Sequence, residues 1–142
     1  MDEELRGRTI DLYMQVARRF GESLHAVSVR HDLTPMQAMT LARVGEETLP
    51  TKEIARHLHC DPSNATGLVD QLERRGLVER TTPPHDRRVR AVAATEEGRR
   101  VHADLRVAMA TAVTILDRLS PADLGELHRI LTVLDTDPAP GG

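Results

Sequence analysis

Aromatic side chains are nearly absent from the 142 residues, which hold one Tyr, one Phe and no Trp. Any core must therefore be aliphatic, built from Leu, Val, Ile, Met and Ala. A single cysteine excludes an internal disulfide framework. No apolar run approaches the roughly 18 to 20 residues that cross a bilayer, and the opening MDEELRGR lacks the basic-then-apolar pattern of a secretory signal. A cytoplasmic protein without a membrane partner is expected. Also missing are a glycine-rich phosphate loop, a nucleophile elbow, a metal-binding helix signature and a paired-carboxylate arrangement. These gaps argue against an enzyme, and no cofactor or metal is expected. Lysine is reduced to Lys52 among 19 basic residues, and the net charge of −3 alone argues against nucleic acid. Its distribution argues otherwise. Residues 74 to 90 hold six arginines against Glu79 and Asp86, a net +4 that leaves −7 for the remainder. A positive patch on an acidic body suffices for phosphate contact, because distant charge is screened beyond about 8 to 10 Å.

What is present is organised around residues 51 to 95. Thr51 can cap a short helix with Ile54, Ala55 and Leu58 inward and Lys52, Arg56 and His59 outside. A second helix begins at Asp61-Pro62-Ser63-Asn64, with Asp61 a favoured N-cap and Pro62 suited to the first helical position. Ala65, Leu68, Val69 and Leu72 form its inward face, leaving Ser63, Asn64, Thr66, Gly67, Asp70 and Gln71 outward. Gly76 suits the positive φ that ends such a helix. Residues 77–82 and 89–94 read as strands around the turn-rich loop 83–88. A helix-turn-helix followed by a basic hairpin is a device for holding DNA.

Upstream, residues 5 to about 31 carry a helical stripe of Ile10, Tyr13, Ala17, Phe20, Leu24 and Val27. Thr34-Pro35-Met36-Gln37 is a capping-box signature opening a helix that ends near Gly45. Leu49-Pro50 is long enough only for a minimal third strand against the hairpin. Downstream, Thr95 opens a long helix with Val101, Leu105, Ala108, Ala112, Ile115 and Leu119 at heptad spacing. Ser120-Pro121-Ala122-Asp123 opens a last helix striped by Leu124, Leu127, Ile130 or Leu131, and Leu134. Residues 137–142 are expected to be a flexible tail. With no second core to cover the terminal stripes, an intertwined homodimer is expected.

Taken together, LTPMQ at 33–37, GLVER at 76–80, DRR at 86–88 and TEEG at 95–98 resemble the MarR family of bacterial transcription regulators over nearly the whole chain. The resemblance implies a mainly α fold with a small β-hairpin wing (α+β). In it, a winged helix-turn-helix module at 33–94 is flanked by dimerisation helices at 1–32 and 95–136. It further implies a sequence-specific regulator, a repressor on a pseudo-palindromic double-stranded operator, released by a small phenolic or carboxylic effector.

The DNA-binding residues expected on these grounds are Thr51, Ser63, Asn64, Thr66, Gly67, Gln71, Arg74, Arg75, Arg87 and Arg88. Short polar groups at the start of the second helix permit close approach to base edges. Ser63 and Asn64 acting only as caps is the bland alternative. By resemblance Arg88 enters the minor groove, with Asp86 orienting a neighbouring arginine by a charge-assisted bond; a solvated charged loop is the contrary reading. Gln71 departs from relatives that often carry arginine there. Arg74, Arg75 and Arg80 read equally as phosphate contacts or as structural ion pairs.

An effector is expected where the first, LTPMQ and fifth helices meet, with Met36 and Met39 as adaptable walls and Arg18 or His25 as carboxylate partner. Core methionines and surface charge are the alternative. His57, His59 and Cys60 point in different directions on a helix and make no metal site. The oxidant-sensing branch of the family places its cysteine in the first helix, where this chain has none, so Cys60 is expected to be an ordinary turn residue. His25, His31 and His102 could line a pocket or metal site, or be plain satisfied or exposed histidines. The competing functions are a redox or metal sensor, and an interaction module without DNA. Erosion of the wing arginines would mark the latter, and they are present.

Overall fold

A computed structural model of the chain describes residues 2–135, with the side chain of Ala112 excepted. The tail expected at 137–142 lies outside the described residues. Contacts divide the chain into two units, Met1–Ala112 and Val113–Gly142.

In the first unit, α1 spans Glu3–Val29. It starts two residues before the periodicity suggests, because the Asp2 carboxylate accepts the amides of Glu4 and Leu5. Its end is fastened by the amides of His31 and Leu33, both donating to the Ser28 carbonyl at 3.0 Å, and Asp32 turns the chain at φ +52°. Helix α2 (Pro35–Glu46) opens with the expected capping box: Thr34 Oγ1 accepts the Gln37 amide and Gln37 Oε1 accepts the Thr34 amide. Next come β1 (Leu49–Pro50), α3 (Thr51–His57), α4 (Pro62–Arg74), β2 (Val78–Thr81), β3 (Ala91–Ala94) and α5 (Glu96–Ala112). The strands form one antiparallel sheet in the order β1-β3-β2, with Leu49 opposite Val92 and Val78 opposite Ala94. The minimal third strand is thus formed.

The core is aliphatic. Val27, Leu41, Ile54, Ala65, Val69, Leu72, Val78 and Val92 are buried together, so α4 presents to it the face expected from its spacing, with Leu68 half-buried beside them. Gly76 takes φ +70° after α4. Two expected caps are corrected. Thr51 is the first residue of α3 and not its cap; Pro50, which also pairs in β1, holds that place without a side-chain bond. Asp61 occupies the N-cap of α4, but its carboxylate accepts no amide there.

The long fifth helix is also corrected. It ends at Ala112, followed by a 3₁₀ turn at Thr114–Arg118 in the second unit. Thr111, Val113, Thr114 and Ile115 are β-branched, and Thr111 Oγ1 donates back to the Val107 carbonyl at 2.9 Å, both unfavourable to continued α-helix. The first part of the expected intersubunit seam is spent within the chain: Leu105 is 4% exposed in the core, and Val101 and Ala108 pack against it. Ile10, Tyr13 and Phe20 on α1, by contrast, are about half exposed or more. In the second unit, α6 (Pro121–Asp135) likewise exposes Leu124, Ile130, Leu131 and Leu134. No described helix is long and apolar enough to cross a membrane.

Candidate nucleic-acid interface

Helix α4 has two different ends. At its start, Ser63 and Asn64 are exposed and their side chains have no partner among the described residues. Thr66 is exposed beside them, its hydroxyl donating to the Pro62 carbonyl at 2.9 Å while its oxygen remains able to accept. Gly67 has no atom within 4 Å of where a Cβ would stand, so its bareness keeps that surface low and relieves no clash. Thr51, half-buried, begins α3.

At the other end the polar groups other than Arg74 are engaged within the protein. Gln71 accepts a bond from Gln37 Nε2 at 2.7 Å. Arg80 bridges Asp70, at 2.6 Å, and Glu73; the Asp70 bond foremost raises its guanidinium above the ordinary arginine range. Arg75 donates to the main-chain carbonyls of His31, at 2.9 Å, and of Asp32. Arg75, expected on DNA, is therefore a tie between the end of α4 and the α1–α2 turn. Arg80 resolves as a structural ion pair. Arg74 is exposed and, among the described residues, without an acidic partner.

Between β2 and β3 the wing loop is held by short-range bonds, Asp86 N to Pro83 O at 3.2 Å and Val89 N to Asp86 O at 3.3 Å. Asp86 does orient the tip, but through the main chain: its carboxylate accepts the Arg88 amide at 3.0 Å and holds no guanidinium. Arg87, Arg88 and Arg90 are exposed with no acidic partner among the described residues.

A cleft of about 690 Å³ opens between the end of α1 and α5, lined by Arg30, His31, Asp104, Val107, Ala108 and Thr111. The expected effector residues do not line it. Arg18 pairs with Glu22 at 2.6 Å, His25 is exposed, and Met36 and Met39 remain 36% and 39% exposed. The cleft lies nearer the turn, where an arginine and a histidine follow the last apolar residues of the stripe; that adjacency was the available signal. His57 rests against Arg43 Nη2 at 3.0 and 3.1 Å. His102 is buried over Gly45, with Nε2 unpartnered. Cys60 is half-buried against the core. Among the described residues no three His, Cys, Asp or Glu side chains come together to hold a metal ion.

A family model described as MarR family matches residues 31–89, from the α1–α2 turn through the wing tip. A solved MarR-family transcriptional regulator from Rhodococcus sp. superposes with a TM-score of 0.78 at 28% identity, over 92% of this chain and 94% of that one. Over this length the chain is similar to MarR-family transcriptional regulators. Another structure similar to this chain is CouR from Rhodococcus jostii bound to p-coumaroyl-CoA, with a TM-score of 0.81 and 29% identity over 87% of this chain and 88% of that one. The helix-turn-helix transcriptional regulator YfiV from Bacillus subtilis is 29% identical over 87% of this chain and 78% of its own. The winged-helix fold and these likenesses mark a DNA-binding transcription regulator.

Proposed function

We propose that the protein is a cytoplasmic homodimeric repressor that binds a pseudo-palindromic operator and is released by a small aromatic acid or its thioester. The observation that carries this reading is the open polar start of α4, with Ser63, Asn64, Thr66 and Gly67 unobstructed, in a module whose wing arginines have no acidic partner among the described residues. Ser63 and Asn64 read base edges, Arg88 enters the minor groove, and Arg74, Arg87 and Thr51 grip phosphate. Gln71 keeps a free amide group for DNA while its oxygen is held by Gln37. Residues 1–32 and 95–136 supply the dimer, chiefly through the uncovered α1 stripe, and 33–94 the reading module. Two-fold symmetry then sets half-sites about 10 bp apart. Repression follows from occupancy alone, which requires no recruiting surface.

The effector occupies the α1–α5 cleft, where Val107 and Ala108 offer an apolar wall and Arg30 and His31 suit an anionic end. The p-coumaroyl-CoA bound by CouR supports an aromatic acyl ligand. Release requires that this ligand favour the free dimer over the DNA-bound one, and it shifts the equilibrium by no more than that difference. Genomic selection of bound fragments, with the mass in solution measured alongside, tests the core of the reading. A palindromic site bound by a dimer is expected; a monomer that enriches no site refutes it.

A further inference from the structure

The bonds at the far end of α4 tie it to the same turn that walls the cleft. Arg75 caps the C-terminus of α4, and both arms of its guanidinium donate to carbonyls 43 and 44 residues earlier, those of Asp32 and His31. One turn before it on the same helix, Gln71 accepts from Gln37, the residue that closes the capping box just after that turn. Arg30 and His31 line the cleft, and the turn between them and α2 is stiffened by two amides converging on Ser28 O. The reading end of α4 has no such tie, since Ser63 and Asn64 have no side-chain partner among the described residues.

We propose that Arg75 is a positioning residue that couples occupancy of the α1–α5 cleft to the pitch of the recognition helix. The inference rests on the effector reading above. A molecule that displaces His31 moves the two carbonyls, and Arg75 carries that shift into the end of α4. Ala65, Val69 and Leu72 are fully buried, which limits the response to a small tilt. A small tilt suffices: Asn64 lies roughly 17 Å along the axis from Arg75, so about 5° displaces it by roughly 1.5 Å, beyond the tolerance of a base-edge hydrogen bond.

The test uses the full-length protein, the duplex recovered by genomic selection, p-coumaroyl-CoA as probe, and the variants Arg75→Met and Arg75→Lys. In the wild type the thioester weakens operator binding by about fivefold or more. Arg75→Met is expected to keep operator affinity, salt dependence and ligand binding by calorimetry, yet to lose the weakening. Arg75→Lys, which keeps the charge and a single donor, retains part of it. Hydrogen exchange supplies a ligand-free arm: operator binding slows exchange at residues 30–33 in the wild type and not in Arg75→Met. Undiminished release from Arg75→Met, or equal slowing of exchange, overturns the coupling and leaves the effector reading standing. Loss of affinity together with a shallower salt slope in Arg75→Met makes the residue a phosphate contact and also overturns it. If the thioester neither binds nor releases the wild type, that effector class fails and the exchange arm alone decides the coupling. If Arg75→Met melts early, the same comparisons are made on Arg75→Lys.

Discussion

The root and the tip of the wing are a few residues apart and built on opposite principles. At the root, the Thr95 hydroxyl donates to the Gly76 carbonyl at 2.6 Å and accepts the Gly98 amide at 3.0 Å, while the Thr95 amide donates to Leu77 O at 3.1 Å. Gly98 sits so close that a Cβ would stand 1.8 Å from Leu77 O. At the tip, from Pro84 to Arg88, every residue is exposed, and the bonds that order it are local. Arginine appears in both places with different outcomes: Arg80 at the root bridges two carboxylates, whereas Arg87 and Arg88 at the tip meet none among the described residues. Residue type does not distinguish them; the presence of an acceptor within reach does. A rigid root lets a charged loop project without collapsing onto the acidic body.

The largest effect is expected at the root. Gly98→Ala drives a methyl into main-chain carbonyl that cannot retreat without breaking the Thr95 bond, costing on the order of 3 kcal/mol. Thermal melting should show a collapse of stability, and a wild-type midpoint would mean the root has slack. Arg88→Ala should leave the midpoint unchanged and weaken operator binding by about tenfold or more, with the salt slope reduced by roughly one per subunit. Titration at several salt concentrations checks this, and an unchanged affinity would erase the functional side of the comparison.

Arg80→Ala should behave in the reverse sense, costing about 1 kcal/mol of stability for a partly exposed two-carboxylate bridge with little direct change at DNA. Folding raises its pKa, so its contribution is intact below the unfolded value and lost only as pH rises through the folded one. Denaturant midpoints at about pH 6 and about pH 8 should therefore fall equally in the variant. Asp86→Ala, which frees the Arg88 amide, should weaken operator binding only about threefold. A gel-shift loss as large as that of Arg88→Ala would show that order at the tip matters as much as charge.

What could be read in advance was local. The Thr34–Gln37 capping box, the inward face of α4 and the positive φ of Gly76 each depend on residues within a few positions, so spacing and residue type sufficed. The partners of Arg75 lie more than forty residues away, and nothing in RRGLVER marks one arginine for a distant carbonyl and its neighbour for solvent. The helix break after Ala112 failed for a related reason. Heptad spacing continued through Ile115 and Leu119 while the β-branched run 113–115 and the Thr111 back-bond worked against the helix. Of the residues expected around an effector where the first, LTPMQ and fifth helices meet, Arg18 and His25 sit further up α1, on a segment that this chain leaves uncovered, and do not line the cleft between the end of α1 and α5.

The scarcity of aromatic rings has an optical consequence. Without tryptophan, ultraviolet emission comes from Tyr13 alone, and that ring is 60% exposed on the uncovered stripe of α1. Any subunit that settles on the stripe changes the quenching and rotational freedom of this single fluorophore, whereas events at α4 or the wing add no emission of their own. The unlabelled protein thus carries a reporter of self-association, and an absorbing aromatic ligand added to it can be followed against a nearly blank background.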